Sequence, residues 1–197
     1  FERLFNNTDG ILDAFIAMWT KMAKRVGKHD NVIGYEILNE PGGWESNNIK
    51  VWKETVLNPF HTKLVEVLKK PDVGGGKLVF FDNPGVEALA ADTYHVRPKG
   101  ENLVYAPHYY DSGLLLGQEG GKSEPANDLK THVTFSATEG LHVLLGEFGY
   151  GHAAKGGEAW LEKVMAFIDT ERWSATLWEY SRNEELWNKE DLSVVEP

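Results

Sequence analysis

The chain has 197 residues, 42% hydrophobic and 25% charged, enough to bury a sizeable core in one globular domain over residues 1–197. Its formal net charge of −10, with 20 Lys+Arg against 30 Asp+Glu and no basic cluster, argues against a nucleic-acid partner or an anionic membrane surface. No stretch approaches the roughly 20 apolar residues needed to cross a bilayer, so an integral membrane protein is not expected, and the absence of cysteine excludes disulfides and thiolate metal sites.

The first element is a helix over residues 11–26. Leu12, Phe15, Ile16, Trp19, Met22 and Val26 recur at helical spacing, Thr8 or Asp9 stands where a cap is needed, and Gly27 follows the last turn. Five apolar, β-branched runs come next, at 31–38, 77–81, 103–108, 142–147 and 174–180, and each reads as a buried parallel strand. Helical stretches separate them at 48–57, 59–70 (Pro59 first), 84–91 (Pro84 first), 126–139 (ending before Gly140) and 157–170. Alternation of this kind implies right-handed crossovers and a parallel sheet, either doubly wound or part of a (β/α)8 barrel.

Two observations favour the barrel. No strand is followed by a G-x-G-x-x-G or Walker-type phosphate turn; Gly74, Gly75 and Gly76 precede a strand instead. Polar residues also gather at strand C-terminal ends, namely Asn39, Glu40, Asp82, His108, Tyr110, Glu147 and Trp178, where barrel active sites are built. Since a full barrel takes roughly 250 residues, about three N-terminal βα units are expected to lie outside this chain, leaving 31–38 as a sheet edge with no partner on one side.

Two of these ends carry a carboxylate. The run Val32–Leu38 stops at Asn39-Glu40-Pro41, where Pro41 forbids further ladder pairing, and His142–Leu145 stops at Gly146-Glu147-Phe148-Gly149. Paired carboxylates are the apparatus of glycoside hydrolysis, one protonating the leaving oxygen and one attacking or activating water. Among 30 acidic residues a lone strand-end Glu carries little weight; the pair in matching contexts carries more.

Ile33-Gly34-Tyr35-Glu36-Ile37-Leu38-Asn39-Glu40-Pro41 resembles the fourth-strand signature of glycoside hydrolase family 5, in clan A of (β/α)8 glycosidases, and Gly146-Glu147-Phe148-Gly149 resembles its seventh-strand motif. Tyr105-Ala106-Pro107-His108-Tyr109-Tyr110-Asp111 is similar to the sixth-strand segment, and Leu177-Trp178-Glu179-Tyr180 to the eighth. Within the family, the segment 107–111 and the run 190–195 look most like the endoglycoceramidase branch, whose members release oligosaccharide from ceramide.

The resemblance implies a (β/α)8 fold and retaining hydrolysis of a β-linked carbohydrate or glycolipid, without metal or organic cofactor, in a secreted protein. It implies Glu40 as acid/base and Glu147 as nucleophile, with His108 and Tyr110 lining the sugar site and Trp178 as a stacking platform. The residues themselves agree. Tyr110 is the expected hydrogen-bond donor to an ionised Glu147, Asn39 can donate to the sugar 2-hydroxyl, and Trp44 is a candidate for a subsite. Asp82 is a candidate for lining the site and Glu36 for a buried pair beneath it. The other histidines, His29, His61, His95, His132, His142 and His152, lack the spacing of a metal site such as H-E-x-x-H. Asn6-Asn7-Thr8 matches the N-glycosylation acceptor pattern. Two alternatives stay open: a β-glucanase or β-mannanase of the same fold, and a catalytically silent carbohydrate-binding fragment.

Overall fold

Strand and helix alternate along the chain as the sequence implies. The structure is a computed structural model and describes residues 1–42, 47–89, 93–116, 119–120, 122–151, 154–180 and 192–193. Two compact units are present, Phe1–Gly85 with Tyr94–Tyr105, and Val86–Thr93 with Ala106–Pro197.

In the first unit the Ile11–Val26 helix forms as expected, burying Leu12, Trp19 and Ala23. Its cap differs from expectation. Gly10 precedes the helix in a left-handed conformation (φ +76°) and Thr8–Gly10 makes a 3-10 turn, so neither Thr8 nor Asp9 can reach the free amides. Asn7 does so instead, its Oδ1 accepting from the Asp13 amide at 3.1 Å.

Three strands follow in parallel, β1 (Gly34–Glu36), β2 (Leu78–Phe81) and β3 (Leu103–Tyr105), with Tyr35 opposite Val79 and Phe80 opposite Val104. Among the described residues β1 pairs with β2 alone, so its other edge is open; Ile33 beside it is 69% exposed. Glu36, at the end of β1, is exposed rather than buried beneath the site.

The two helices expected at 48–57 and 59–70 are one continuous helical run from Ile49 to Leu68. Pro59 has no amide hydrogen and its ring crowds the carbonyl four residues earlier; the π-turn over Lys53–Leu57 widens the helix just there, so the chain bends its hydrogen-bond pattern instead of breaking. This run packs Phe60, Leu64, Val65 and Leu68 inward.

His61 lies on the same face, 2% exposed, between the rings of Phe60 and Phe81, with no hydrogen-bond partner for Nε2. Burial pushes its imidazole down to about 3. Below pH 6.5 the unfolded chain therefore takes up a proton that the folded chain refuses until near pH 3, and stability falls as pH falls, by up to about 1.4 kcal/mol per pH unit. Denaturant titrations at pH 7 and pH 4.5 should show the wild type losing about 2–3 kcal/mol more than His61→Leu across that interval. Equal losses would mean that His61 is protonated in the fold.

The apolar run 103–108 does not continue as one strand. Pro107, lacking an amide hydrogen, ends pairing after Tyr105, and a separate strand β4 (His108–Tyr109) follows. Likewise Gly146 separates β5 (His142–Leu145) from β6 (Glu147–Phe148). β4 pairs in parallel with β6, and β5 with the short β7 (Ser174–Ala175). The eighth-strand reading at 174–180 thus shrinks to two ladder residues. Beyond them the Thr176 and Trp178 amides still donate, to Leu145 O (3.0 Å) and Phe148 O (2.9 Å), but without regular pairing.

The helix expected at 126–139 is two, Pro125–Asp128 and Lys130–Glu139, the second closed by Gly140 at φ +62°, while Gly157–Glu171 matches expectation closely. The predicted helix 84–91 is a 3-10 turn, Gly85–Leu89, over its described part. Trp160, Val164, Phe167 and Ile168 pack from the Gly157–Glu171 helix onto Tyr109, Leu145 and Phe148, which fixes the strands that carry the second carboxylate. Among the described residues no helix is long and apolar enough to cross a membrane.

Candidate active site

The chain that leaves β1 is anchored before it reaches Glu40. The Ile37 amide donates to Phe80 O (3.2 Å), and the Trp19 indole donates to Ile37 O (3.1 Å) inside the core. Asn39 is then exposed and Glu40 half-buried. Glu40 has φ +42°, a left-handed backbone that a side chain bearing a Cβ adopts only under constraint. The constraint is visible, since its amide donates to the Asp82 carboxylate Oδ2 at 2.9 Å, and Pro41, buried, follows at once.

In the second unit the parallel register sets His108 opposite Glu147 and Tyr109 opposite Phe148. Glu147 Oε2 accepts a hydrogen bond from the Tyr110 hydroxyl at 2.8 Å and stands 3.4 Å from His108 Nδ1. The Glu147 side chain is 18% exposed and that of His108 only 2%, so the carboxylate opens to solvent above a buried imidazole. Gly146 makes this approach possible: a Cβ there would sit 3.0 Å from His108 Nε2 and 3.3 Å from Ala106 O, while its amide donates to Pro107 O at 2.8 Å.

Tyr110 is itself tied down, its amide donating to Ala88 O at 2.9 Å. It packs with Ala88, Leu192 and the half-buried Trp178. Gly149 lets the chain pass Trp178, whose carbonyl oxygen would collide with any Cβ at that position. The Trp178–Glu179 peptide is cis.

Beside Tyr110 opens a cavity of about 390 Å³, lined by Tyr109, Asp111, Ser123 and Asp128 among others. Sequence reasoning missed it, because its walls come from a polar loop whose only signal was the density of Gly, Ser and Asp after β4. Burial raises the Tyr109 phenol well above its ordinary range, and its hydroxyl donates to Asp128 at 2.7 Å. Burial also pushes Asp111 upward, but the Ser123 hydroxyl and the Leu114, Ser123 and Gly113 amides outweigh it and hold the carboxyl below its usual value.

Of the candidate residues, His108, Tyr110, Glu147 and Trp178 come together in the second unit, and Asn39, Glu40 and Asp82 in the first. Trp44 and most of the run 190–195 lie outside the described residues.

The model of the Cellulase family (glycosyl hydrolase family 5) matches residues 2–184. The chain belongs to glycosyl hydrolase family 5. A stretch of 41 residues, 21% of this chain and 8% of the relative, is 49% identical to an endoglycoceramidase of Cyanea nozakii. Among solved structures, endo-glycoceramidase II from Rhodococcus sp. in complex with ganglioside GM3 aligns with TM-score 0.69 at 18% identity, over 92% of this chain and 44% of that one. Cel5A of Thermotoga maritima in complex with cellobiose aligns with TM-score 0.69 at 20% identity, over 98% of this chain and 68% of that one. The fold is therefore that of part of a (β/α)8 glycosidase barrel, and the chain spans less than half the length of the Rhodococcus endo-glycoceramidase.

Proposed function

We propose that this family 5 protein hydrolyses a β-glycoside with net retention, Glu147 attacking the anomeric carbon and Glu40 acting first as acid and then as base. The observation that carries it is the 2.8 Å hydrogen bond from the Tyr110 hydroxyl to Glu147 Oε2. A donor aimed at the carboxylate stabilises its negative charge and fixes one oxygen, leaving the other to attack.

In the first step Glu40 gives its proton to the glycosidic oxygen as the bond to the anomeric carbon breaks, and Glu147 forms an ester to the sugar. In the second, Glu40 takes a proton from water, which displaces Glu147 from the same face that the leaving group vacated. Asn39 would hold the sugar 2-hydroxyl, where hydrogen bonding strengthens as positive charge develops, and the Trp178 ring offers an apolar face for the sugar. The acid, base and nucleophile all come from the two carboxylates, so no cofactor enters.

For the substrate we propose an oligosaccharide β-linked to ceramide. The support is the 49% identity to the Cyanea nozakii endoglycoceramidase over the matched stretch. The alignment with cellobiose-bound Cel5A, at an equal TM-score of 0.69, favours a β-glucan as the second reading. Assaying the full-length protein that carries this chain on lactosylceramide, cello-oligosaccharides and mannan separates them. Release of intact lactose at a kcat/KM at least about tenfold above that on cello-oligosaccharides, a difference of about 1.4 kcal/mol in transition-state binding, supports the glycolipid. The reverse preference would replace it with the glucanase.

A further inference from the structure

We infer that the turn Asp82–Gly85, which follows β2, is the positioning device for Glu40. The inference rests on the reading of Glu40 as acid/base, and it assigns to two neighbouring residues the task of aiming that carboxyl.

Three observations converge. The left-handed backbone of Glu40, φ +42°, needs something to hold it, and the acceptor for its amide is Asp82 Oδ2 at 2.9 Å, from a residue 42 positions away in sequence. Asp82 is itself fixed: it is 2% exposed, its Oδ1 accepts from the Asn83 amide at 2.6 Å, and it lines a void of about 10 Å³ together with the buried Lys53. A carboxylate held in this way is a rigid acceptor, and a charged acceptor binds an amide more strongly than a neutral one. Finally, the Glu40 side chain lies over Gly85, where a Cβ would come within 2.8 Å of Glu40 Oε2, 3.0 Å of Cδ and 3.1 Å of Cβ. One end of the turn therefore grips the Glu40 backbone, and the other leaves the space that its carboxyl occupies.

Asp82 touches neither substrate nor reacting atoms on this account; it acts through the direction in which Glu40 points. A misaimed acid fails where protonation of the leaving group matters and is tolerated where it does not, so the signature is a dependence on leaving group rather than a uniform loss. The turn is invisible to composition because Asp-Asn-Pro-Gly reads as an ordinary loop, and only the register of β1 against β2 brings it under Glu40.

The test uses full-length protein with Asp82→Ala, Asp82→Asn and Gly85→Ala, assayed on an alkyl β-glycoside and on a dinitrophenyl β-glycoside, with Glu40→Gln in parallel. For Asp82→Ala and Gly85→Ala, kcat/KM on the alkyl glycoside should fall about 100-fold, the scale of a misplacement of about 1 Å. The burst of dinitrophenolate should stay within about threefold of wild type, because an activated leaving group needs little protonation. Azide should accelerate the slowed second step. Asp82→Asn, which keeps an acceptor oxygen, should recover most of the loss. Gly85→Ala leaves Asp82 and its buried surroundings in place, so it answers the question even if Asp82→Ala fails to fold.

Equal losses on both substrates with no response to azide would overturn the inference and reduce the turn to a structural element. If Glu40→Gln itself shows no dependence on leaving group, the reading of Glu40 falls. If Glu40→Gln shows it and the turn variants do not, only the positioning role falls.

Discussion

Glu147→Ala in the full-length protein is expected to lose hydrolysis of every glycoside, activated or not, by about 100,000-fold or more, the scale seen when a catalytic nucleophile is removed. The size of the loss follows from the chemistry. Without the carboxylate no glycosyl-enzyme forms, and His108 beside it, 2% exposed, is too buried to take its place. The truncated side chain leaves room for a small anion. Azide added to Glu147→Ala with an activated β-glycoside should enter that space, attack directly and give the α-glycosyl azide, a product of inverted configuration. Tryptophan fluorescence and thermal denaturation should remain close to wild type, because the packing of Phe148 and Leu145 onto Trp160 does not pass through the Glu147 side chain.

The second large effect is at Glu40. Glu40→Ala removes the proton donor but leaves the nucleophile, so the cost depends on the substrate. On a ceramide or alkyl leaving group, kcat/KM should fall about 1,000-fold, within the range that general acid catalysis supplies. With a dinitrophenyl glycoside the covalent intermediate should form in a rapid burst and then persist, since no base activates the incoming water. Azide, which needs no base, should restore turnover and give the β-glycosyl azide. The two variants therefore yield azides of opposite configuration, and an exchange of products between them would reverse the two roles. Failure of both rescues in folded protein would count against the two-carboxylate mechanism.

The elements best foreseen from the sequence are those whose signal is local. Trp19 and Leu12 fall on one face of the Ile11–Val26 helix because hydrophobic spacing there matches the helical period, and Gly140 ends the Lys130–Glu139 helix in the left-handed conformation that glycine favours. Strand position was legible and strand length was not. The apolar runs at 103–108 and 142–147 pass through Pro107 and Gly146 without a change of hydropathy, yet those residues are where the ladders break and restart, turning His108 and Glu147 into facing partners.

Pro59 misled in the opposite sense: it marked a helix start, while the structure absorbs it with a π-turn inside one continuous helical run. At the site, Glu40 and Glu147 were visible as the ends of strands. Their supports were only partly so. Tyr110 could be named because it follows β4 closely, but the left-handed turn of Glu40 and its tether to Asp82 arise from a contact across 42 positions of sequence, which no local pattern encodes. The polar cavity lined by Tyr109, Asp111, Ser123 and Asp128 was hidden for the same reason, its walls being distant in sequence and unremarkable one at a time.

Covalent trapping tests the assignment of Glu147 most directly. A 2-deoxy-2-fluoro-β-glycosyl fluoride slows both steps by destabilising positive charge at the anomeric carbon, while its fluoride leaving group keeps the first step fast enough for the glycosyl-enzyme to accumulate. Incubated with the full-length protein, it should abolish activity with time and raise the intact mass by one glycosyl group, and proteolysis should locate that group on the peptide containing Glu147. Label on the Glu40 peptide, or no label in protein that still turns over substrate, would contradict the mechanism.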